Sequence, residues 1–462
     1  MTPPAAISGG SFGFGYDALS RRTSLTRPNT VNTSYSYDNL SRLLNVTHAK
    51  GGVTLDGATY TVDNAGNRNS KADLYAGVTT NYGYDNIYEL LSATQGASTT
   101  ESYTYDPVGN RLSNLSGSGW SNNTSNELTS RPGVTYTYDN NGNTLTKVDS
   151  TGTTSYTWDF ENRLTSGTLP GSGGTVSFKY DPFGRRIYKS SSSGTSVFAY
   201  DGDDLVEETN SSGGAVARYS QGLNIDEPLA ILRGGATSFY HADGLGSVTS
   251  LSNAAGSLVQ TYAYDSFGKQ TGLSGSLTTP FQYTGRESDG ETGLYFYRAR
   301  YHDQSAGRFL SEDPIRFRGG LNFYAYTGNN PTNFADPEGL LKACCRPVRI
   351  PGARQAGACH CFLQTGDGHT LGGYFEFPYL NPEIDKKDDT QPQDKPDCKD
   401  IGGCDADAKA KKAFGGIPRD VNIYGPNGTS NTVAQQILNG AGIAYTLPSC
   451  DFDTLIWPHS IL

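Results

Sequence analysis

Apolar and polar positions alternate along most of the first 283 residues, in short aromatic runs separated by turn residues. Tyr103 and Tyr105 stand two apart, as do Tyr136 and Tyr138, and in an extended strand that spacing puts every second ring on one face. Three runs lead into Asp-x-x-Gly-Asn, at Asp63, Asp106 and Asp139, and others into close variants of it. There the carboxylate can accept backbone N–H groups and glycine can take a positive φ, so the phrase reads as a turn. The Arg or Leu that comes next opens a return strand. One such hairpin cannot bury its own apolar face, so stability requires stacking on neighbours, and the pattern predicts a long continuous sheet.

The unit recurs. GYDALSRRTSL carries Tyr16-Asp17, SYDNLSRLLNV carries Tyr37-Asp38, TVDNAGNRNS carries Asp63 and GYDNIYELLSA carries Tyr84-Asp85. Further along come TYDPVGNRLSNL with Tyr105-Asp106, TYDNNGNTLTKV with Tyr138-Asp139 and TWDFENRLTSG with Trp158-Asp159. KYDPFGRRIYKS with Tyr180-Asp181, AYDGDDLVEE with Tyr200-Asp201 and AYDSFGKQTGL with Tyr264-Asp265 complete the set. Most neighbouring aspartates are 20 to 25 residues apart, although Asp106 to Asp139 is longer and Asp201 to Asp243 spans two periods. Unrelated turns in a large sandwich would also contain Asp and Gly, but ten recurrences at one period favour a repeat.

A different texture runs from Gly285 to Leu340, dense in Gly, Pro, Asn, Asp and Tyr, which reads as tight turns joining short aromatic strands. Asp313-Pro314 and Asp336-Pro337 bracket its second half. Beyond Leu340 the composition breaks again, because all seven cysteines (Cys344, Cys345, Cys359, Cys361, Cys398, Cys404 and Cys450) follow it. Their odd number and irregular spacing specify neither a complete disulfide framework nor a structural metal site.

Composition narrows the picture. With 57 glycines, 30 tyrosines and 35% hydrophobic residues in 462, any core is thin and aromatic, which suits sheets better than a helical bundle. A formal net charge of −10 argues against a nucleic-acid-binding surface, so no nucleic-acid partner is expected. No apolar run reaches the roughly 18 residues of a membrane span, and the first residues lack the basic and apolar regions of a signal peptide. Export by another route, from a cytoplasmic site of synthesis, is the expectation.

The ten units resemble the tyrosine-aspartate (YD) repeats of the Rhs family, which includes the C components of toxin complexes and, more distantly, teneurins. The likeness covers about Gly15 to Leu340, and implies a β-sheet spiralling into a hollow shell around a cargo. Family shells use far more repeats, so a shell this short is expected to stay unclosed with an unpaired edge at its first strand, and the chain reads as the C-terminal portion of a longer shell, a truncated open reading frame, or a piece that pairs with another chain. GLYFYRARYHDQSAGRFLSEDPIRFRGGLNFYAYTGNNPTNFADPEGL resembles the Rhs-associated core motif. That resemblance implies self-cleavage between Leu340 and Leu341 by two aspartates acting together, at the matching positions Asp313 and Asp336. The chemistry is sound: of two adjacent carboxylates one keeps a proton as general acid while the other activates water. Both could instead be turn caps. Arg298, Arg300 and Arg308 could pair with them or position the cut segment. His302 stands where the motif carries tyrosine, and is expected to be a surface substitution.

In the tail, ACHCFLQTGDGHTLGGYFEF (358–377) reads as two strands around Gly366-Asp367-Gly368, and residues 405–414 as a short helix. YGPNGTSNTVAQQILNGAG (424–442) reads as a capped helix ended by glycine. The pattern weakly resembles the permuted papain-like fold of lecithin retinol acyltransferase relatives, in which a His activates a Cys at a helix start. Carried over, His360 is the base, His369 an orienting residue, and Ser430 stands at the nucleophile position in place of Cys. An ordinary strand histidine is the competing reading for His360. Cys359 and Cys361 could share a metal that His360, on the other face, could not easily join; small buried hydrophobes are the favoured reading of the cysteines. Neither metal nor cofactor is expected.

The sequence thus predicts a mainly β protein, a YD-repeat spiral sheet followed by a small α+β C-terminal domain. The expected boundaries are repeats at 1–283, an autocleavage segment at 284–340 and a variable effector at 341–462. Such an effector implies a cognate immunity protein and secretion-system or toxin-complex partners. A structural or adhesive repeat protein with an inert tail is the alternative.

Overall fold

The computed structural model describes residues 10–340, 342–347, 359–364 and 370–371. The repeat turns share one construction. Asp106 Oδ1 accepts the N–H groups of Val108 (2.9 Å) and Asn110 (2.8 Å), while its Oδ2 accepts Asn110 Nδ2 at 2.9 Å. Asp139 holds Asn141 and Asn143 in the same way, and Asp159 and Asp181 use the Nε of Arg163 and Arg185 in place of the amide. Gly109 closes its turn at φ 82, as the turn phrase requires; Ser41 and Tyr88 take the same left-handed conformation without being glycine. Asp201 departs from the pattern, since it lies inside strand Gly194–Asp201 and pairs with Asp204 across a two-residue turn.

The tyrosine before the aspartate has its own task. The hairpins built on these aspartate turns carry a bulge beside the turn, and in several the next unit's tyrosine reaches back to the carbonyl of the residue facing that bulge. Tyr37 Oη donates to Arg22 O (2.9 Å), Tyr84 to Arg68 O (2.7 Å), Tyr180 to Leu164 O (2.6 Å) and Tyr264 to Val248 O (2.9 Å). Those carbonyls belong to residues paired at the register shifts Gly15/Tyr16, Thr61/Val62, Thr157/Trp158 and His241/Ala242. Trp158 does the same through Nε1 to Thr144 O (2.8 Å). Bulges bend and twist a sheet at the cost of ladder hydrogen bonds, and a phenol or indole donor restores one while its ring fills the core.

The strands pair strictly with their sequence neighbours, all antiparallel. Eleven strands from Gly13–Tyr16 to Gly117–Ser118 form one sheet and sixteen from Ser121–Asn122 to Gln270–Gly275 a second. The bent wall comes round on itself: Asn29 Nδ2 donates to Ser252 Oγ (2.8 Å), His48 Nε2 contacts Ala242 O (3.0 Å), Lys71 Nζ meets Asp243 (2.7 Å) and Arg22 pairs with Glu227. Phe12 and Leu25 pack there against Leu229, Ala230 and Phe239. Side chains thus close the circuit, while the expected unpaired edge at the first strand is present: among the described residues Gly13–Tyr16 and Gln270–Gly275 are each paired along one edge.

Residues 283–340 cross inside this ring. They include the small sheet Glu287–Asp289, Leu294–Tyr297, Arg300–Asp303 and Arg308–Phe309. They touch successive turns, through Arg186 with Glu287 and Asp289, Gly142 O with Tyr324, Asn110 with Asn322, Glu89 with Asn329 and Arg68 with Thr332 O. In the tail, Lys342–Pro347, Cys359–Gln364 and Thr370–Leu371 form an antiparallel sheet. The last two agree with the hairpin read from 358–377. Its turn and the helices read at 405–414 and 424–442 lie outside the described residues.

Candidate cleavage site

Leu294–Tyr297 and Arg300–Asp303 form a hairpin whose eight residues are all buried, so both faces of each strand are packed and no polar-out alternation survives. That brings Arg300, 1% exposed, into the interior with its guanidinium 3.7 Å from the Phe309 ring centre. A buried guanidinium requires partners, and these include the two aspartates of the Asp-Pro dipeptides. Arg300 Nη2 lies 2.9 Å from Asp313 Oδ2 and 3.3 Å from Asp336 Oδ2. Nη1 donates to Phe323 O (2.8 Å) and Nε to Gly339 O (2.5 Å).

Each aspartate also shapes its own turn. Asp313 Oδ1 accepts the N–H of Ile315 at 3.0 Å, and its own N–H donates to Phe323 O. Asp336 Oδ1 accepts the N–H of Leu340 at 2.9 Å. Gly339 between them has φ 67 and sits so close to the hairpin that a Cβ would lie 2.4 Å from Tyr297 O, so this position needs glycine twice over. Asp336 is 0% exposed, and burial pushes its carboxyl up to about 6 against the opposing pull of Arg300 and the Leu340 N–H, with the Asp313 charge pushing the same way as burial.

Chemically, this is a pair of carboxyl groups sharing one cation, one of them bonded to the residue before Leu341. With its carboxyl raised to about 6, Asp336 holds a proton more readily than an ordinary carboxylate, and a protonated acid beside an ionised one is what water-activating chemistry requires. Of the three arginines read from the motif, Arg300 joins the pair. Arg298 instead binds Pro337 O (2.5 Å) and Asp226 (2.7 Å), and Arg308 binds Asn122 Oδ1 (2.9 Å) and Asn126 O. His302 is not a surface substitution. It is 0% exposed among Tyr295, Tyr297, Phe309 and Tyr326, the last with ring centres 4.7 Å away. Burial lowers its imidazole to about 3, so it is a neutral member of the aromatic core.

In the tail, His360 lies in strand Cys359–Gln364 opposite Arg346, while His369 and Ser430, and the side chains of Cys359, His360 and Cys361, lie outside the described residues. Among the described residues no group of three or more His, Cys, Asp or Glu is placed to hold a metal.

Comparison with known proteins adds the following. A family model described as the teneurin YD-shell matches residues 75–332, and one for the RHS repeat matches residues 16–53. The chain is similar to the tRNA3(Ser)-specific nuclease WapA of Bacillus spizizenii, 33% identical over 264 residues, which is 54% of this chain and 11% of that protein. It is similar to double-stranded DNA deaminase toxin A of Burkholderia cenocepacia, 28% identical over 50% of this chain and 18% of the relative, and to toxin protein Tse5 of Pseudomonas aeruginosa, 36% identical over 26% and 9%. The chain thus spans no more than a fifth of the length of these relatives. Among solved structures, the TcdB2-TccC3 crystal structure superposes with a TM-score of 0.59 at 21% identity, covering 72% of this chain and 20% of that one. A variant of the Photorhabdus luminescens Tc holotoxin pore gives a TM-score of 0.59 at 20% identity, covering 72% and 19%.

Proposed function

Because the chain belongs to the teneurin YD-shell family, we propose that it is the C-terminal portion of a shell-forming polymorphic toxin that cuts its own backbone between Leu340 and Leu341 and so frees an effector. One observation carries the reading: Asp313 and Asp336 meet on Arg300 while Asp336 holds the Leu340 N–H. In the cut, water adds to the Leu340 carbonyl carbon and gives its proton to the ionised carboxylate. The protonated partner gives its proton to the Leu341 nitrogen, the C–N bond breaks, and a new carboxyl end and a new amino end result. Boundaries at 283/284 and 340/341 come with this reading.

The names of relatives support a toxin role, and on that support nucleic acid is the first substrate class we would assay, in spite of the chain's acidity. A cognate immunity protein, secretion-system or toxin-complex partners, and export without a signal peptide belong to the same reading, as does a catalytic role for His360, His369 and Ser430. Expression of residues 341–462 in cytoplasm or periplasm should arrest growth, with relief by His360→Ala. A tail harmless in both compartments removes the toxin half.

A second reading, a structural shell that is never cut, draws on the same geometry: a guanidinium between two buried carboxylates is also a sound structural ion triad. The presence or absence of a new chain end at Leu341 decides between them.

A further inference from the structure

The segment leading to Leu340 is gripped by one hairpin through three successive carbonyls. Pro337 O accepts Arg298 Nη1 (2.5 Å), Glu338 O accepts the Ala299 N–H (3.1 Å) and Gly339 O accepts Arg300 Nε (2.5 Å). Ala299 donates from the backbone, and Arg300 is anchored by the aspartates themselves. Arg298 differs. Its backbone is left-handed, φ 53, an uncommon conformation for a non-glycine residue, and its guanidinium reaches out to the wall. There Asp226 receives it on both oxygens, Nη2 to Oδ1 at 2.7 Å and Nη1 to Oδ2 at 3.1 Å, and Arg286 binds the same carboxylate.

Asp226 belongs to the short connection between strands Ala215–Gln221 and Pro228–Arg233, and its neighbour Glu227 organises that connection. Glu227 Oε2 accepts the N–H groups of Leu223 (3.2 Å) and Asn224 (3.3 Å), and the Glu227 carbonyl accepts the Gly222 N–H at 2.7 Å. The carboxylate is also gripped by Arg22, Nη2 to Oε2 at 3.1 Å, from strand Arg22–Thr26 some 205 residues earlier. Arg22 reaches it only once the wall has come round. Adjacent residues of one connection thus face two ways: Glu227 receives the first strands, and Asp226 holds the arginine that holds the cut segment.

We propose that connection 222–227 makes the backbone cut conditional on closure of the wall. Docking of Arg22 on Glu227 fixes the connection, the connection sets Asp226, and Asp226 aims Arg298 at Pro337 O so that the peptide after Leu340 is presented to Asp313 and Asp336. Arg298, Asp226 and Glu227 are positioning residues in this scheme. A cargo would then be released only inside a finished ring. The inference rests on the self-cleavage proposed above, and supplies it with a trigger made from an ion pair whose two halves are brought together only by folding of the whole circuit.

The test uses the full chain made by cell-free translation, with the cut fraction followed over time. Arg22→Gln, Glu227→Gln and Asp226→Asn should each slow cutting by roughly tenfold or more, because small displacements of a reacting group are costly. The swap Arg22→Glu with Glu227→Arg should return the rate to within roughly threefold of the parent. The pH at which the rate turns over should stay where it is in the parent, since the aspartate pair is untouched; a general loss of folding would not restore with the swap or preserve that pH. Parent-like rates in Arg22→Gln or Glu227→Gln overturn the proposal. So does a protease-resistant, folded swap variant that remains slow, which decides the matter even where a single variant fails to fold. An uncut parent chain removes the cleavage reading itself, an outcome distinct from uniform rates across the variants, in which cleavage stands and the coupling alone falls.

Discussion

Asp336 faces two ways: one carboxylate oxygen accepts the N–H of Leu340 at 2.9 Å, and the other lies 3.3 Å from the Nη2 of Arg300 that Asp313 also contacts. The residue that ends the shell segment is therefore tied directly to the carboxyl pair. One cation serves two acids, and burial raises the Asp336 carboxyl to about 6.

The pH dependence of cutting follows. Burial pushes the Asp336 carboxyl up to about 6, and the singly protonated pair is the form with both an acid and a base. That form loses its proton as pH rises through about 6, so the single-turnover rate of the full chain should fall above that value. Rates measured across about pH 5 to 8 check it, and a flat profile would argue that these carboxyls take no part.

Arg300 should matter to stability as much as to cutting. Arg300→Met leaves two buried carboxylates without their cation, an arrangement that typically costs about 3–5 kcal/mol. Thermal melting should show the loss. Neutralising both acids alone, as Asp313→Asn with Asp336→Asn, leaves the buried guanidinium without counter-charge and should also melt well below the parent, whereas combining it with Arg300→Met should recover part of the loss.

The bulge-capping tyrosines predict a smaller effect. Tyr264→Phe keeps the ring and removes the bond to Val248 O, leaving an under-satisfied carbonyl in the wall, so a loss of about 1–2 kcal/mol is expected from denaturant titration. Trp158→Phe should cost a similar amount through Thr144 O, with an added packing term.

Acid should loosen the circuit where it closes. His48 and His241 pack with ring centres 4.9 Å apart between the first and last strands, near Arg27, Lys71, Asp56 and Asp243. Burial lowers His48 to about 3 and His241 well below its ordinary value of 6.5. A depressed histidine binds its proton more readily in the unfolded chain, so stability present above pH 6.5 is lost as pH falls toward about 3. In His48→Gln that loss should be shallower over the same window, as read by melting temperature against pH.

Much of this was legible in the sequence, for a physical reason. A Tyr-Asp phrase at a regular interval states both the strand face and the turn, because the carboxylate alone can close the turn on two N–H groups. What escaped were substitutions that keep the chemistry and change the letter. Asn123, Asn210 and Asn253 build the same turns with an amide oxygen, and Asn123 accounts for the long interval between Asp106 and Asp139. Trp158 in a tyrosine position was the visible hint that the residue before the aspartate can serve as a donor, although Val62 and Ala242 hold that place without one. Arg300 could not be told from Arg298 because residues two apart share a face only within one strand, and here Arg298 lies in the hairpin turn while Arg300 opens the strand. His302 misled because strand Arg300–Asp303 is buried on both faces, where a polar letter carries no information about exposure.

The central claim is tested most directly by the intact mass of the purified full chain beside its Asp336→Asn variant. Self-cleavage through Asp313 and Asp336 predicts a fragment beginning at Leu341 in the parent and its absence in the variant. An intact chain of 49.5 kDa from both, under native expression, would contradict it.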